Sequence, residues 1–289
     1  MQYKSKYNRR KCNRNKLHFL IIVPEFAAIT VLLVMVMKLV AGIEIIDKSK
    51  DNFTIEYDAY EEITTEEETT TKEETTSEEE TTEEIFYDYS SVVPENDAVD
   101  NSYFDDAVFI GDSRTEGLIL STGLSNTTAY TYKGLTVDSL TSKPVIKKNG
   151  VMLSVMDALK ETDFNKVYIM LGINETGWPY SEVFIKVYGG IIDEIKQINP
   201  NAKIYVQEII PVAESVSSTH NYIKNEKIRE FNNLLCKMAE EKEVYFIDTG
   251  KAIAGQDGIL PEDAAYDGIH LKKAYCEKWL EYLKTHTVS

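Results

Sequence analysis

Three short stretches carry residue types that could do chemistry together. Ser113 closes the turn Gly111-Asp112-Ser113, which follows the apolar run 107–110. That run is brief and contains Val108, Phe109 and Ile110, the pattern of a buried strand. A serine hydroxyl there would stand at the carboxyl end of a strand, where open α/β sheets build their sites. On its own the tripeptide is equally an ordinary turn and the cap of a helix starting at Arg114.

The second stretch is Asp267-Gly268-Ile269-His270. An Asp three residues before a His, across a Gly, lets one turn aim both side chains the same way. The carboxylate can accept from one ring nitrogen and leave the other free to take a serine proton. Of the four histidines, His18 adjoins an apolar N-terminal segment, His220 sits in the polar loop 217–221, and His286 lies in the tail. His270 is therefore the expected general base. The third stretch, Gly172-Ile173-Asn174-Glu175, follows another apolar run. The Asn174 amide would donate to a developing oxyanion, a contact worth about 2.7–4 kcal/mol in the transition state. The backbone N–H groups of Ser113 and Gly134 could complete the hole. Together this is equipment for acyl transfer through a serine nucleophile.

The elements that must position these groups read as a strand–helix alternation over 101–289. Strands are expected at 107–110, 128–132, 166–171, 203–210 and 244–247. Helices are expected from Arg114, at 152–161, at 183–198, at 224–241 and at 271–284. Over 183–198, Phe184, Val187, Tyr188, Ile191, Ile192 and Ile195 share one side, and Asn199-Pro200-Asn201 stops the helix. Five strands alternating with helices imply an α/β fold with a parallel sheet covered on both faces.

In order, Gly111-Asp112-Ser113, Gly134, Gly172-x-Asn174 and Asp267-x-x-His270 resemble the four blocks of the SGNH (GDSL-type) esterase and acyltransferase superfamily. The resemblance covers most of 101–289 and none of 1–100. It implies Ser113 as nucleophile, His270 as base and Asp267 as its orienter. It implies an oxyanion hole from Gly134, Asn174 and the Ser113 N–H, a flavodoxin-like three-layer sandwich, and no metal or cofactor. The third block departs from the family's usual Gly-x-Asn-Asp by carrying Glu175. Arg114 is either a clamp for an anionic or carbonyl group of the substrate or a solvent-facing residue of the first helical turn. Trp178, Pro179 and Tyr180 form either a sugar-stacking wall or ordinary loop packing. Glu175 is placed with them, since its extra methylene would reshape the pocket.

Other chemistries find no support. There is no Gly-x-Ser-x-Gly elbow. Thr249-Gly250-Lys251-Ala252 lacks the upstream glycine and the hydroxyl of a phosphate loop. Asp105, Asp106 and Asp112 have no histidine near them in sequence. Three cysteines, Cys12, Cys236 and Cys276, are too few for a disulfide scaffold. One bridge between Cys236 and Cys276 is conceivable, although two separate packing thiols is the simpler reading.

The net charge of −17 is unevenly spread. Residues 1–16 hold seven basic side chains and no acid, whereas residues 51–100 hold nineteen acids against Lys72 alone. Only −6 remains for 101–289, with no basic cluster, so a nucleic-acid partner is not expected. Residues 19–46 are almost continuously apolar, and the window 26–46 meets the roughly 20 residues a bilayer-crossing helix needs. The net positive charge lies on its N-terminal side, since Lys38, Lys48 and Lys50 are balanced by Glu25, Glu44 and Asp47, which places residues 1–18 in the cytoplasm and exports the rest. A cleaved signal peptide is the competing reading, with an unusually long apolar core.

Residues 47–100 are then expected to be a disordered tether, in which the aromatic stretch Phe86-Tyr87-Asp88-Tyr89 could pack onto the folded domain. Between 61 and 84, blocks of Glu alternate with Thr pairs and triplets, and Ile63 is the only strongly apolar residue before Ile85. Such a stretch buries too little surface to offset its ordering entropy. The expectation is a membrane-anchored serine esterase, facing outward, that removes small O-acyl groups from a cell-surface glycan or another small ester. An acyltransferase using the same triad, and a catalytically silent glycan-binding or scaffold domain, are the alternatives.

Overall fold

The computed structural model describes residues 87–288. The expected basic tail (1–18), membrane anchor (19–46) and most of the acidic tether (47–86) lie outside the described residues. Among the described residues, no helix is long and apolar enough to cross a membrane.

Five parallel strands form the main sheet: β1 (Ala107–Gly111), β2 (Thr128–Thr131), β5 (Lys166–Met170), β6 (Lys203–Gln207) and β7 (Tyr245–Ile247). Their spatial order is β2-β1-β5-β6-β7. Strand side chains alternate between faces, and here the alternation separates two cores. Val108, Ile110, Val167, Ile169, Ile204 and Val206 face one way. They meet helices α2 (Val155–Lys160), α3 (Ser181–Ile198) and α5 (Asn225–Glu241). Phe109, Tyr168, Met170, Tyr205 and Ile247 face the other. They meet α1 (Ser113–Thr122), the short α6 (Gly250–Ile253) and α7 (Lys273–Thr285). The result is the three-layer α/β sandwich expected, with the strand order of flavodoxin-like folds.

The register stacks aromatic rings across neighbouring strands. Phe109 lies against Tyr168 at 4.8 Å, and Tyr168 against Tyr205 at 4.5 Å. Buried on both faces, these strands carry no polar stripe, which is why brief apolar runs were legible as strands. Cys236 and Cys276 are both free thiols.

Three local expectations need correction. The segment around 152 is not the start of a helix: β3 (Ile146–Lys148) and β4 (Val151–Leu153) form an antiparallel hairpin, and α2 begins only at Val155. Its turn is Asn149-Gly150, with φ of 50° and 82°, the left-handed pair a two-residue hairpin requires. Residues 217–219 belong to a short helix, α4 (Glu214–Thr219), rather than a loop.

The tether, expected to run to residue 100, ends earlier. Val92 bridges Phe246 in parallel beyond β7, and the Val93 N–H donates to the Phe246 carbonyl at 2.9 Å. Val93 is fully buried, and Tyr87 and Tyr89 pack on Tyr245. The N–H groups of Asn96 and Val99 then donate to Thr285 and Lys284 on α7. Residues 87–100 are a strap along the sheet's edge, because apolar Val92, Val93 and the tyrosines find partners there.

Candidate active site

In an open parallel sheet, the crevice for a ligand opens where neighbouring connections leave in opposite directions. Here that point lies beyond the carboxyl ends of β1 and β5, since β1 is followed outward by β2 and β5 leads on to β6. Ser113 follows β1 and Gly172-Ile173-Asn174-Glu175 follows β5, so topology brings two of the three stretches to one crevice.

The turn carrying Ser113 is tight. A Cβ on Gly111 would fall 2.0 Å from Thr115 Oγ1 and 3.0 Å from the Met170 carbonyl, so only glycine lets the helix start this close to the strand. The helix cap is Asp112, whose carboxylate accepts the Arg114 N–H at 2.8 Å. Ser113 is thereby freed from capping, and its Oγ lies 2.9 Å from His270 Nε2.

His270 is held by the loop it sits in. Ala265 and Leu271 form an antiparallel bridge, and the Tyr266 N–H donates to the His270 carbonyl at 2.9 Å. Within this closed loop Asp267 accepts the N–H groups of Ile269 and His270 at 3.0 and 2.8 Å. Its second oxygen lies 2.7 Å from His270 Nδ1. Burial pushes the Asp267 carboxyl up, but the His270 and Ile269 donors outweigh it and hold its pKa below the ordinary value. An ionised carboxylate only accepts, so Nδ1 carries the hydrogen and Nε2 faces Ser113 with a free lone pair.

Gly268 lets the loop dock. At φ of 78° it adopts a left-handed conformation, and a Cβ there would sit 2.5 Å from Val216 Cγ2. The Ala213 N–H donates to its carbonyl at 2.9 Å. The triad loop therefore rests on the segment leading into α4.

The residues expected to form the oxyanion hole lie on two turns. Gly134, at φ of 70°, occupies a turn closed by the Leu135 N–H donating to the Tyr132 carbonyl at 3.0 Å. Asn174 Nδ2 donates to the Leu135 carbonyl at 3.0 Å and lies 3.5 Å from Asp112 Oδ2. The next residue, Glu175, accepts the Val137 N–H at 2.7 Å. Asn174 and Glu175 thus grip the segment after Gly134 at two points.

Two expected substrate contacts are overturned. Arg114 is 2% exposed, and its Nη1 donates to the Ile210 carbonyl at 2.7 Å. It points under the site instead of into it, because the first turn of α1 packs on the sheet. Glu175 is fully buried beneath the Gly134 turn and cannot touch a substrate either. Burial pushes its carboxyl up to about 8, the Val137 N–H opposes this, and Asp112 adds to it. Asp112 is also buried and raised, chiefly by burial, with Arg114 pulling it back.

Trp178 is half-buried against the core, while Tyr180 stands 62% exposed at the start of α3. Tyr222 and Tyr266, not singled out from sequence, are also exposed. Tyr222 packs over Gly177, and Tyr266 immediately precedes Asp267. Chain adjacency to Asp267 was the only available signal for Tyr266. A cavity of about 550 Å³ lined by Glu208, Asn225, Asn232, Asp248 and Lys251 includes no triad residue. Among the described residues, no three His, Cys, Asp or Glu side chains are grouped to hold a metal ion.

Residues 109–275 match the GDSL-like lipase/acylhydrolase family. The fold resembles that of a Streptococcus pneumonia protein described as a platelet activating factor, with 20% identity, a TM-score of 0.51, and coverage of 64% of this chain and 89% of that one. Lower similarity extends to an acetylxylan esterase from Geobacillus stearothermophilus (17% identity, TM-score 0.46, 63% and 94% covered). A carbohydrate acetylesterase from Sinorhizobium meliloti gives 17% identity, a TM-score of 0.44, and 62% and 96% covered. No curated protein matches the chain. The family match spans more than half of the chain, including all three chemical stretches, so this protein belongs to the GDSL-like lipase/acylhydrolase family and is a carboxylic ester hydrolase.

Proposed function

We propose that the enzyme removes small O-acyl groups, acetyl foremost, from a cell-surface glycan, using Ser113, His270 and Asp267. The observation that carries the residue roles is the continuous chain Ser113 Oγ, His270 Nε2, His270 Nδ1, Asp267 Oδ2, at 2.9 and 2.7 Å. In this reading Ser113 Oγ attacks the ester carbonyl while His270 Nε2 takes its proton. Asp267 stabilises the imidazolium so formed. The carbonyl oxygen becomes an oxyanion facing the N–H groups of Ser113 and Gly134 and the Asn174 amide. His270 then protonates the departing sugar oxygen, and the acyl group stays on Ser113. A water molecule, deprotonated by His270, attacks the acyl-enzyme and releases the carboxylic acid and free Ser113.

A glycan carrier is supported by the openness of the site. His270 and Asp267 side chains are 44% and 52% exposed, and exposed rings stand at Tyr266 next to Asp267, at Tyr222 over Gly177, and at Tyr180 at the start of α3. Rings of this kind suit the apolar faces of sugars. The cell-surface location is supported by the basic, apolar and acidic succession of residues 1–84. In this reading 19–46 anchors the enzyme in the bilayer and the domain lies outside the cell.

Hydrolysis of p-nitrophenyl acetate and of O-acetylated wall polysaccharide tests the proposal. Ser113→Ala is expected to lower kcat on both by about 10⁵-fold or more. Activity surviving in that variant would remove Ser113 from the reaction.

A further inference from the structure

Beneath the Gly134 turn lies a buried group of charged side chains that the reaction as written does not use. Asp112, Arg114 and Glu175 are all 2% exposed or less. Arg114 is the one cation of the group, and its ion-pair contact is with Asp112. Arg114 Nη1 is taken by the Ile210 carbonyl, and its Nε lies 4.0 Å from Asp112 Oδ1. Glu175 Oε1 accepts the Val137 N–H, but Oε2 has no hydrogen-bond partner within the protein. A second full negative charge there would be buried without compensation, which costs several kcal/mol. The charge balance of the group therefore calls for a proton on one of the two carboxyls.

The placement of Glu175 makes that proton consequential. Its Oε1 and the neighbouring Asn174 Nδ2 hold the backbone at Val137 and Leu135, directly after Gly134. Other groups around Glu175 are Asp138 on the 3-10 helix Val137–Ser139 and the Tyr188 phenol on α3. His270 in turn acts on Asp112. None of these supplies a second buried cation.

We propose that Glu175 is a positioning residue: as an uncharged carboxylic acid it braces the Gly134–Val137 loop against the turn carrying Asn174, and its ionisation loosens the oxyanion hole. The inference rests on the serine-esterase reading above. The extra methylene relative to the family's usual Asp lets the carboxyl reach the Val137 N–H from a turn two strands away. The cost is a site that works only while that acid keeps its proton.

The pH profile of kcat on p-nitrophenyl acetate tests this in wild type, Glu175→Gln and Glu175→Ala. Wild type is expected to lose activity as pH rises through about 8, where burial places the Glu175 carboxyl. Glu175→Gln, which keeps an uncharged acceptor, should stay within a few-fold of wild-type kcat at neutral pH and lack the alkaline fall. Glu175→Ala should lose about 100-fold in kcat, on the scale of one lost oxyanion donor, with KM changed far less. An unchanged alkaline fall in Glu175→Gln, or no fall in wild type, would overturn the proposal.

A second readout does not depend on ester turnover. The carboxyl's value is raised on folding from 4.5 to about 8, so its stabilising contribution is complete below pH 4.5 and is lost as pH rises through about 8. Thermal unfolding of wild type should therefore fall progressively behind Glu175→Gln across that interval. A constant gap would show that Glu175 is charged in the fold and would overturn the inference. Activity surviving in Ser113→Ala would instead strike the esterase reading, and the unfolding comparison would still report on Glu175.

Discussion

Asp267 does its work through three hydrogen bonds made at once, to two backbone N–H groups and to the His270 ring. The backbone pair shapes the turn, and the ring contact selects the tautomer. Asp267→Asn separates these roles, because an amide oxygen can still accept from the backbone while its NH2 cannot accept from Nδ1–H. We expect a loss in kcat of about 10³–10⁴-fold with little change in KM. The variant should melt within a few degrees of wild type, and steady-state kinetics beside thermal unfolding check both. A kcat within tenfold of wild type would mean that Asp267 only shapes the turn. Arg114 shows the opposite relation between type and role. A cation directly after the nucleophile looks like a substrate clamp in sequence, yet its side chain is spent inside the protein on the Ile210 carbonyl.

At the scale of elements, the site is assembled by loops whose glycines cannot be replaced. Gly268 holds the triad loop against Val216 on α4 and the residue before it, Ala213. A side chain there meets both a left-handed backbone, costing roughly 1–2 kcal/mol, and the Val216 methyl. Gly268→Ala is expected to lower unfolding stability by about 2 kcal/mol and kcat by more than tenfold, since the loop must lift and carry His270 away from Ser113. Denaturant unfolding and kcat measured together would decide it. Unchanged kinetics would show that the loop's docking does not set the Ser113–His270 distance. The β3–β4 hairpin illustrates why some elements were not readable. Val151 and Met152 are exposed, so the strand lacks the buried alternating face that identifies one. Their apolar types ran on into Val155, Met156 and Leu159 and imitated a single helix.

For the whole molecule, the strap 87–100 joins the amino-terminal side of the domain to the β7 edge and to α7. It covers strand edge that would otherwise offer unpaired backbone groups to other chains. A protein of residues 101–289 should therefore be less stable than one of residues 87–289, by about 2 kcal/mol or more from burial of Val93 alone. It should also be more prone to self-association. Thermal melts and light scattering of the two forms test this, and equal melting temperatures would demote the strap to a passive tail. Both forms keep every residue of the triad, so both should retain esterase activity at low temperature.

Sequence order and composition determined the alternating α/β rhythm and the family, and singled out Ser113, Asn174, Asp267 and His270 as the residues proposed for the chemistry. These are written in short-range patterns: apolar runs bounded by glycine, and an Asp-x-x-His that a single turn can align. Only the tertiary structure decided which charged residues beside the site are exposed and which are buried. Arg114 and Glu175 look exposed by type and are buried by packing, because α1 lies down on the sheet and the Gly134 turn closes over the end of β5. The aromatic cluster at 86–89 pointed to packing on the domain, and Tyr87 and Tyr89 do meet Tyr245, but the course of 90–100 was settled by distant partners, Phe246 and α7, which no local pattern there announces. Burial is a property of what comes to lie on top of a residue, and that is set by chain far away in sequence.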